Sequence, residues 1–198
     1  MYWLPCLTAW TGGYLRNTKV TGLTFIEILV ALVIIVTGIL GAIAMQASAK
    51  KGAFDSMQRS LASALAQDIV ERMRSNSSNP NVLELYEGTY GATLNALPSP
   101  RCNSVATLCT PTQLVTSDLY EWELSLMGAD VTQSASNRGG LVGARGCIQH
   151  AANAVTVVIS WEGREGIADG GSSNSDFAKS CGTSGSKRRQ IAVEAFIF

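Results

Sequence analysis

With 198 residues, the chain has room for one domain of ordinary size plus an extension. Its charged fraction of 15% is low against the ~25% of typical soluble domains. Fifteen basic and fifteen acidic residues cancel, which excludes any overall pull toward nucleic acid or anionic lipid.

The first segment carries Arg16 and Lys19 and ends at Gly22, where Gly22-Leu23-Thr24-Phe25-Ile26-Glu27 opens a long apolar run. No Asp, Glu, Lys or Arg occurs from Ile28 to Ser48. A bilayer span takes ~20 such residues. An ordinary secretory signal places its small-residue cut site after the apolar core. Here the small residue precedes it, so a cut after Gly22 would leave the run attached to the mature chain.

Glu27 interrupts the start of the run. A carboxylate at membrane depth costs on the order of 2.5–3.5 kcal/mol at mid-bilayer and less near the interface, so it calls for a partner. Cleavage after Gly22 would create an amine at Leu23, four residues away in the same chain, and neighbouring chains would offer the same group. At ~4 Å and an effective dielectric of ~20 such a pair attracts by about 4 kcal/mol before desolvation. The competing explanation is a first-turn Glu favoured by the helix dipole, worth ~0.3–1 kcal/mol.

This hexamer resembles the class III leader-peptidase site of type IV pilins and pseudopilins. The resemblance implies a prepilin peptidase that cuts after Gly22 on the cytoplasmic side and methylates the new terminus at Leu23. It also implies that Glu27 is the carboxylate used in subunit recruitment. Leu23 departs from the family's usual Phe or Met. Arg16 and Lys19 hold the leader in the cytoplasm by the positive-inside rule, while Lys50 and Lys51 at the far end of the run argue the other way. The leader sets the orientation, because the peptidase signal requires it on the cytoplasmic side.

Beyond the run, Ser56 to Arg74 contains neither Pro nor Gly, and Leu61, Leu65, Ile69 and Met73 recur every four residues. Phe54, Met57, Ala62 and Ala66 widen this apolar face, and Gln58, Arg59, Asp68, Glu71, Arg72 and Arg74 fill much of the rest. The pattern predicts one helix from Leu23 to about Arg74, roughly 75 Å long at ~1.5 Å per residue, with a possible bend at Gly52. It should stop near Asn76-Ser77-Ser78-Asn79-Pro80. Its first half needs lipid or other such helices; its second half needs a sheet of its own. Gly38, Gly41 and Ala42 would let neighbouring helices approach closely.

Residues 75–111 are rich in Asn, Ser, Gly and Pro and read as irregular connection. Thr112 to Leu126 reads as a helix with Leu114, Leu119, Trp122 and Leu126 as core contacts. Leu141–His150 and Ala154–Trp161 read as strands, the second alternating Val155, Val157, Ile159 and Trp161 with Thr156, Val158 and Ser160. Glu162–Ser186 reads as a Gly/Ser-rich loop, and Gln190–Phe198 as a last strand. The expected fold is α+β and type IV pilin-like: a long N-terminal helix, membrane-spanning in its first half, packed against a small antiparallel sheet of three strands.

Cys6 lies in the leader. Cys102, Cys109, Cys147 and Cys181 lie in the body, an even count that suits an oxidising compartment. Of the three pairings possible, Cys102–Cys109 and Cys147–Cys181 are favoured, free buried thiols being the alternative. Zinc is disfavoured by the lack of CxxC and by a single His.

The segments Arg59–Asn76, Asp118-Leu119-Tyr120-Glu121-Trp122 and Ser160-Trp161 resemble the PilV (type IV pilus modification protein) group of minor pilins. That implies a non-enzymatic subunit supporting pilus assembly, adhesion and twitching motility. Its partners would be the prepilin peptidase, major and minor pilins, the inner-membrane assembly platform and the bilayer. It would wait in the bacterial inner membrane, single-pass with a periplasmic body, before reaching the pilus. The domain map is then leader 1–22, membrane or filament-core half-helix 23–49, amphipathic half-helix 50–76 and globular body 77–198. A minor pseudopilin of a type II secretion system shares the hexamer and long helix. A membrane-anchored periplasmic enzyme or binding protein is the rival of another class.

No catalytic site or cofactor is expected. His150 is the lone His and reads as structural. Asp169–Asp176 could offer oxygens to calcium but lacks EF-hand spacing and reads as a loop. Lys187-Arg188-Arg189 reads as a solvated strand entry with too little charge for nucleic acid.

Overall fold

The computed structural model describes residues 22–77, 80–104, 108–134 and 136–197. The chain divides into two compact units with the boundary between Met45 and Gln46. Helix α1, Phe25–Ser75, is unbroken through Gly52 and ends where the Asn/Ser-rich segment begins. In the first unit its apolar side chains are exposed on every side. In the second unit its remaining turns carry the buried side of the body, with Ala62, Leu65, Ala66, Ile69, Val70 and Met73 in the core.

The body follows in chain order. A short helix α2, Pro80–Leu83, runs into a single 3-10 turn at Glu84–Tyr86 and strand β1, Gly88–Tyr90. Helix α3 is Pro111–Met127. Its start is set by a capping box: Thr110 Oγ1 accepts from the Gln113 amide at 3.3 Å, and Gln113 Oε1 accepts from the Thr110 amide at 2.9 Å. A two-stranded ribbon, β2 Thr132–Gln133 and β3 Ser136–Asn137, precedes β4, Arg145–Ala151, and β5, Ala154–Glu162. Helix α4, Asp176–Ser180, and β6, Arg188–Phe196, complete the chain. The main sheet is antiparallel in the order β1-β4-β5-β6, with Cys147 opposite Val158 and Ile159 opposite Ile191.

This is an α+β body with the later turns of α1 packed on a small antiparallel sheet, as the sequence pattern implies. Several details differ. The sheet has four strands rather than three, because the connection expected to be irregular contributes β1. The strand expected from Leu141 begins at Arg145. Gly140 and Gly143 have φ of 71° and 59°, conformations that interrupt an extended strand. The loop expected over 162–186 contains α4, which covers the back of the sheet. Val158 is therefore buried with Cys147, Ala178 and Cys181, although period-two alternation sends it to solvent. Gln58, assigned to the polar side of α1, is only 3% exposed.

One side chain joins all three layers. Trp122 of α3 is fully buried, and its indole N–H donates to the Leu65 carbonyl of α1 at 2.8 Å. The edge of one ring meets the face of the other at the Tyr90–Trp122 pair, with centroids 5.7 Å apart and planes at 80°. Gly146 of β4 makes the space: a Cβ there would lie 2.3 Å from Trp122 Cη2 and 3.2 Å from Leu126 Cδ2. Gly146→Ala is therefore expected to destabilise the body by about 1–3 kcal/mol through overpacking. The check is a lower denaturant midpoint for the variant at unchanged slope.

Candidate functional site

Gly22, Leu23 and Thr24 precede α1 and are exposed. The Glu27 amide donates to the Thr24 carbonyl at 3.1 Å and lies 3.4 Å from its hydroxyl, so Thr24 serves the open first turn. Glu27 sits in that turn, where the helix dipole favours a carboxylate. It is exposed, and among the described residues no ion pair includes it. The leader residues Arg16, Lys19 and Cys6 lie outside the described residues.

The run that follows is long and apolar enough to cross a bilayer. Its Thr37 hydroxyl donates back to the Val33 and Ile34 carbonyls at 2.9 and 3.0 Å, which satisfies it within the helix. Gly22, Gly38 and Gly41 have nothing within 4 Å of the position a Cβ would take. The described chain supplies no steric reason for a glycine at any of the three.

Within the second unit, the later turns of α1 are held by polar fasteners that the sequence pattern does not disclose. Gln58 Oε1 accepts from the Val142 amide at 3.0 Å, and its Nε2 donates to the Gly140 carbonyl at 3.3 Å. Arg72 pairs with Asp68 at 2.9 Å and with Asp118 of α3 at 3.2 Å. Tyr86 donates to the second Asp118 oxygen at 2.8 Å, and Asn76 donates to the Tyr86 hydroxyl at 3.3 Å and to the Pro111 carbonyl at 2.9 Å. Burial above all raises the Tyr86 hydroxyl pKa, so it stays a donor. Glu123, 1% exposed, accepts from the Gly91 and Asn95 amides at 2.7 and 2.9 Å and pins the segment after β1. The signal for these residues is weak. A Gln, Asp or Glu inside an otherwise apolar helical face is the one hint.

The remaining candidates have structural partners. Asp169 accepts from Arg188 Nε at 2.7 Å and from the Gly171 and Gly185 amides, each at 2.9 Å. Asp176 pairs with Lys179 at 3.3 Å. Both carboxylates of the candidate calcium loop thus serve other groups. Arg188, expected to be solvated, is 5% exposed and also donates to the Lys179 and Cys181 carbonyls at 2.8 and 3.3 Å. His150 lies in β4; its backbone amide donates to Glu87 at 2.7 Å, while its buried Nε2 has no partner among the described residues. Cys102 is bonded to Cys109, and Cys147 to Cys181.

A family model described as "Tt1218-like: Type IV pilin Tt1218" matches residues 44–120. The matched stretch begins within α1 and ends within α3, so it includes Arg72, Asn76, Tyr86 and Asp118. The hexamer at residues 22–27 lies outside it. Residues 44–120 are thus similar to a type IV pilin family. No curated protein and no solved structure matches the chain significantly.

Two outcomes are expected in the second unit. The guanidinium of Arg188 first, and then the Gly171 amide, hold Asp169 down from 3.8 to about 2. A depressed carboxylate stabilises the fold above its ordinary pKa and loses that effect as pH falls through the lowered value. Amide exchange over residues 169–188, corrected for intrinsic rates, should therefore quicken from pH 4 to about 2. Asp169→Asn should remove that dependence. The Cys147–Cys181 bond spans 34 residues. Replacing both cysteines by Ser should cost about 3–4 kcal/mol of unfolding free energy, read by denaturant titration.

Proposed function

We propose that the chain is a minor type IV pilin of the PilV kind, made as a prepilin and built into or at the start of a pilus. The observation that carries this reading is the contrast along α1. From Phe25 to Ser48 its apolar surface is exposed all round with Glu27 as its only charge, while its later turns are the buried side of a body. A soluble monomer does not leave such a surface open. Lipid covers it first, and the equivalent helices of other subunits cover it in the filament. The match to a type IV pilin family supports the same reading.

The prepilin peptidase removes residues 1–22 at Gly22 and methylates Leu23. Glycine at 22 is explained by the peptidase, since the described chain imposes no steric need for it. Glu27 then meets the free amine of a neighbouring subunit, which offsets the carboxylate's desolvation. Gly38 and Gly41 leave open helix surface on which neighbouring helices approach closely. Residues 23–49 form the membrane and filament-core segment, 50–76 the amphipathic half-helix and 77–198 the body. The body is periplasmic until the inner-membrane assembly platform draws the subunit into a pilus with other major and minor pilins. Adhesion and twitching motility follow from that assembly. The reading is of a structural subunit and assigns no catalytic residue.

Mass spectrometry of the mature chain is expected to show Leu23 as the first residue, carrying one methyl group on its amine. Glu27→Ala should leave processing and membrane insertion intact and abolish incorporation into sheared pili. A chain that keeps residues 1–22 in a piliated cell, or normal incorporation of Glu27→Ala, would overturn the reading.

A further inference from the structure

Several cations that the assembly reading does not use lie together in the second unit. Lys51, Phe54, Val142, Glu162, Arg164 and Lys187 line one open depression of about 470 Å3. The Gly163 amide donates to the Lys187 carbonyl at 2.8 Å, and the Ile167 amide to the Ser186 carbonyl at 2.9 Å, so segments 163–167 and 186–187 run side by side. The Arg164 guanidinium stacks 4.1 Å from the Phe54 ring centroid, and the Arg164 amide donates to Asp55 at 3.3 Å. Arg189 donates to the Glu165 carbonyl at 2.7 Å.

The patch is amphipathic as well as basic. Ile167 is 61% exposed and Val142 47%. Its cations are Lys51, Arg164, Lys187 and Arg189, its carboxylates are Asp55, Glu162 and Glu165, and Lys50 precedes Lys51 on the same helix, an excess of two positive charges with Lys50 counted. Lys51 pairs with Glu165 at 3.0 Å, but both side chains are more than half exposed, so the pair holds the ammonium weakly. The chain as a whole is neutral; the excess here is local.

Sequence continuity says what lies opposite this patch. The uncharged run ends at Ala49, and Lys50 and Lys51 follow it directly along the same helix. At ~1.5 Å per residue they stand within about 3 Å of the end of the span. In an inserted chain these lysines are therefore at headgroup depth. They also oppose the orientation rule that the leader obeys, so topology does not explain them.

We infer that this patch docks the body on an anionic phospholipid surface, with Lys50, Lys51, Arg164 and Lys187 meeting lipid phosphates and Ile167 and Val142 entering the interface. The contact holds the subunit against the bilayer before it is drawn into a filament. The inference rests on the membrane-inserted reading above.

The test uses the full chain reconstituted in phosphatidylcholine vesicles, with and without phosphatidylglycerol. Flotation comes first. A chain that floats with neither composition overturns both the membrane reading and this inference. For a chain that floats, amide exchange is compared over residues 142–144, 163–168 and 185–187. The expected result is exchange slower on the order of fivefold with phosphatidylglycerol. The protection should vanish in high salt and in the triple variant Lys50→Gln, Lys51→Gln, Lys187→Gln, which still floats. Equal exchange in the two lipids overturns the docking while leaving insertion intact. Protection that ignores lipid charge and grows with protein density overturns it too, in favour of contact between copies.

Discussion

The hydrogen bond from the Trp122 indole to the Leu65 carbonyl fixes the body on its helix. A helix carbonyl keeps a second lone pair after its intrahelical bond, and a buried indole N–H left without an acceptor would cost about 1–3 kcal/mol. The bond therefore selects one position of α3 along α1. It is one of three fasteners at equal intervals. Gln58, Leu65 and Arg72 follow each other by seven residues, two turns of helix, so they lie nearly in line about 10 Å apart. The first holds the 140–142 segment, the second α3 through its tryptophan, and the third α3 again through Asp118. Apolar packing alone would tolerate a helix sliding by a turn; three polar contacts of different geometry do not.

Much of this fold is legible in sequence because it follows from periodicity. Leu65, Ile69 and Met73 mark the buried side of α1, and Val155, Val157 and Ile159 the inner face of β5. The fasteners are not legible, because a polar residue that finds its partners when buried looks like a solvated one. Gln58 is such a case, and Glu123 is another. Val158 and Ser160 are misread for a different reason. Alternation assumes one wet face, and here the 163–187 segment folds back over it. The residues that carried the resemblance, Arg59–Asn76 and Asp118–Trp122, meet each other in space through Arg72–Asp118 and Leu65–Trp122. The proposed roles of Gly22, Leu23 and Glu27 are a separate matter. They concern groups outside the folded single chain, so no contact within it bears on them.

The two stretches of α1 differ in how completely the chain accounts for them. Every fastener of the later turns has its partner in the same molecule. In the first stretch the Thr37 hydroxyl is satisfied by its own helix, and among the described residues nothing covers the glycines or the apolar side chains. A sequence in which one half of a helix is explained by its own fold and the other half is not points to an environment supplied by something else. In the proposed reading, lipid and neighbouring helices would meet that need with the same apolar surface, so one segment would serve an inserted subunit and an assembled one in turn.

The segment from 163 to 187 shows how such a body holds a region with little core of its own. Its buried apolar cover is small: Ala178 and the Cys147–Cys181 pair against Val158, with Phe177 beside them. Order comes instead from two fasteners. One is the covalent tie to β4. The other is Arg188, whose guanidinium binds Asp169 and the Lys179, Cys181 and Gly182 carbonyls, while Asp169 in turn collects the Gly171 and Gly185 amides. Of the Lys187-Arg188-Arg189 run, the middle residue is thus spent inside the body, Arg189 is half-buried and donates to the Glu165 and Ser186 carbonyls, and Lys187 is exposed. A run of like charges read as a single basic feature divides, once folded, into a structural centre and an exposed flank. The local charge left on that flank, rather than the net charge of the chain, decides what the surface can meet.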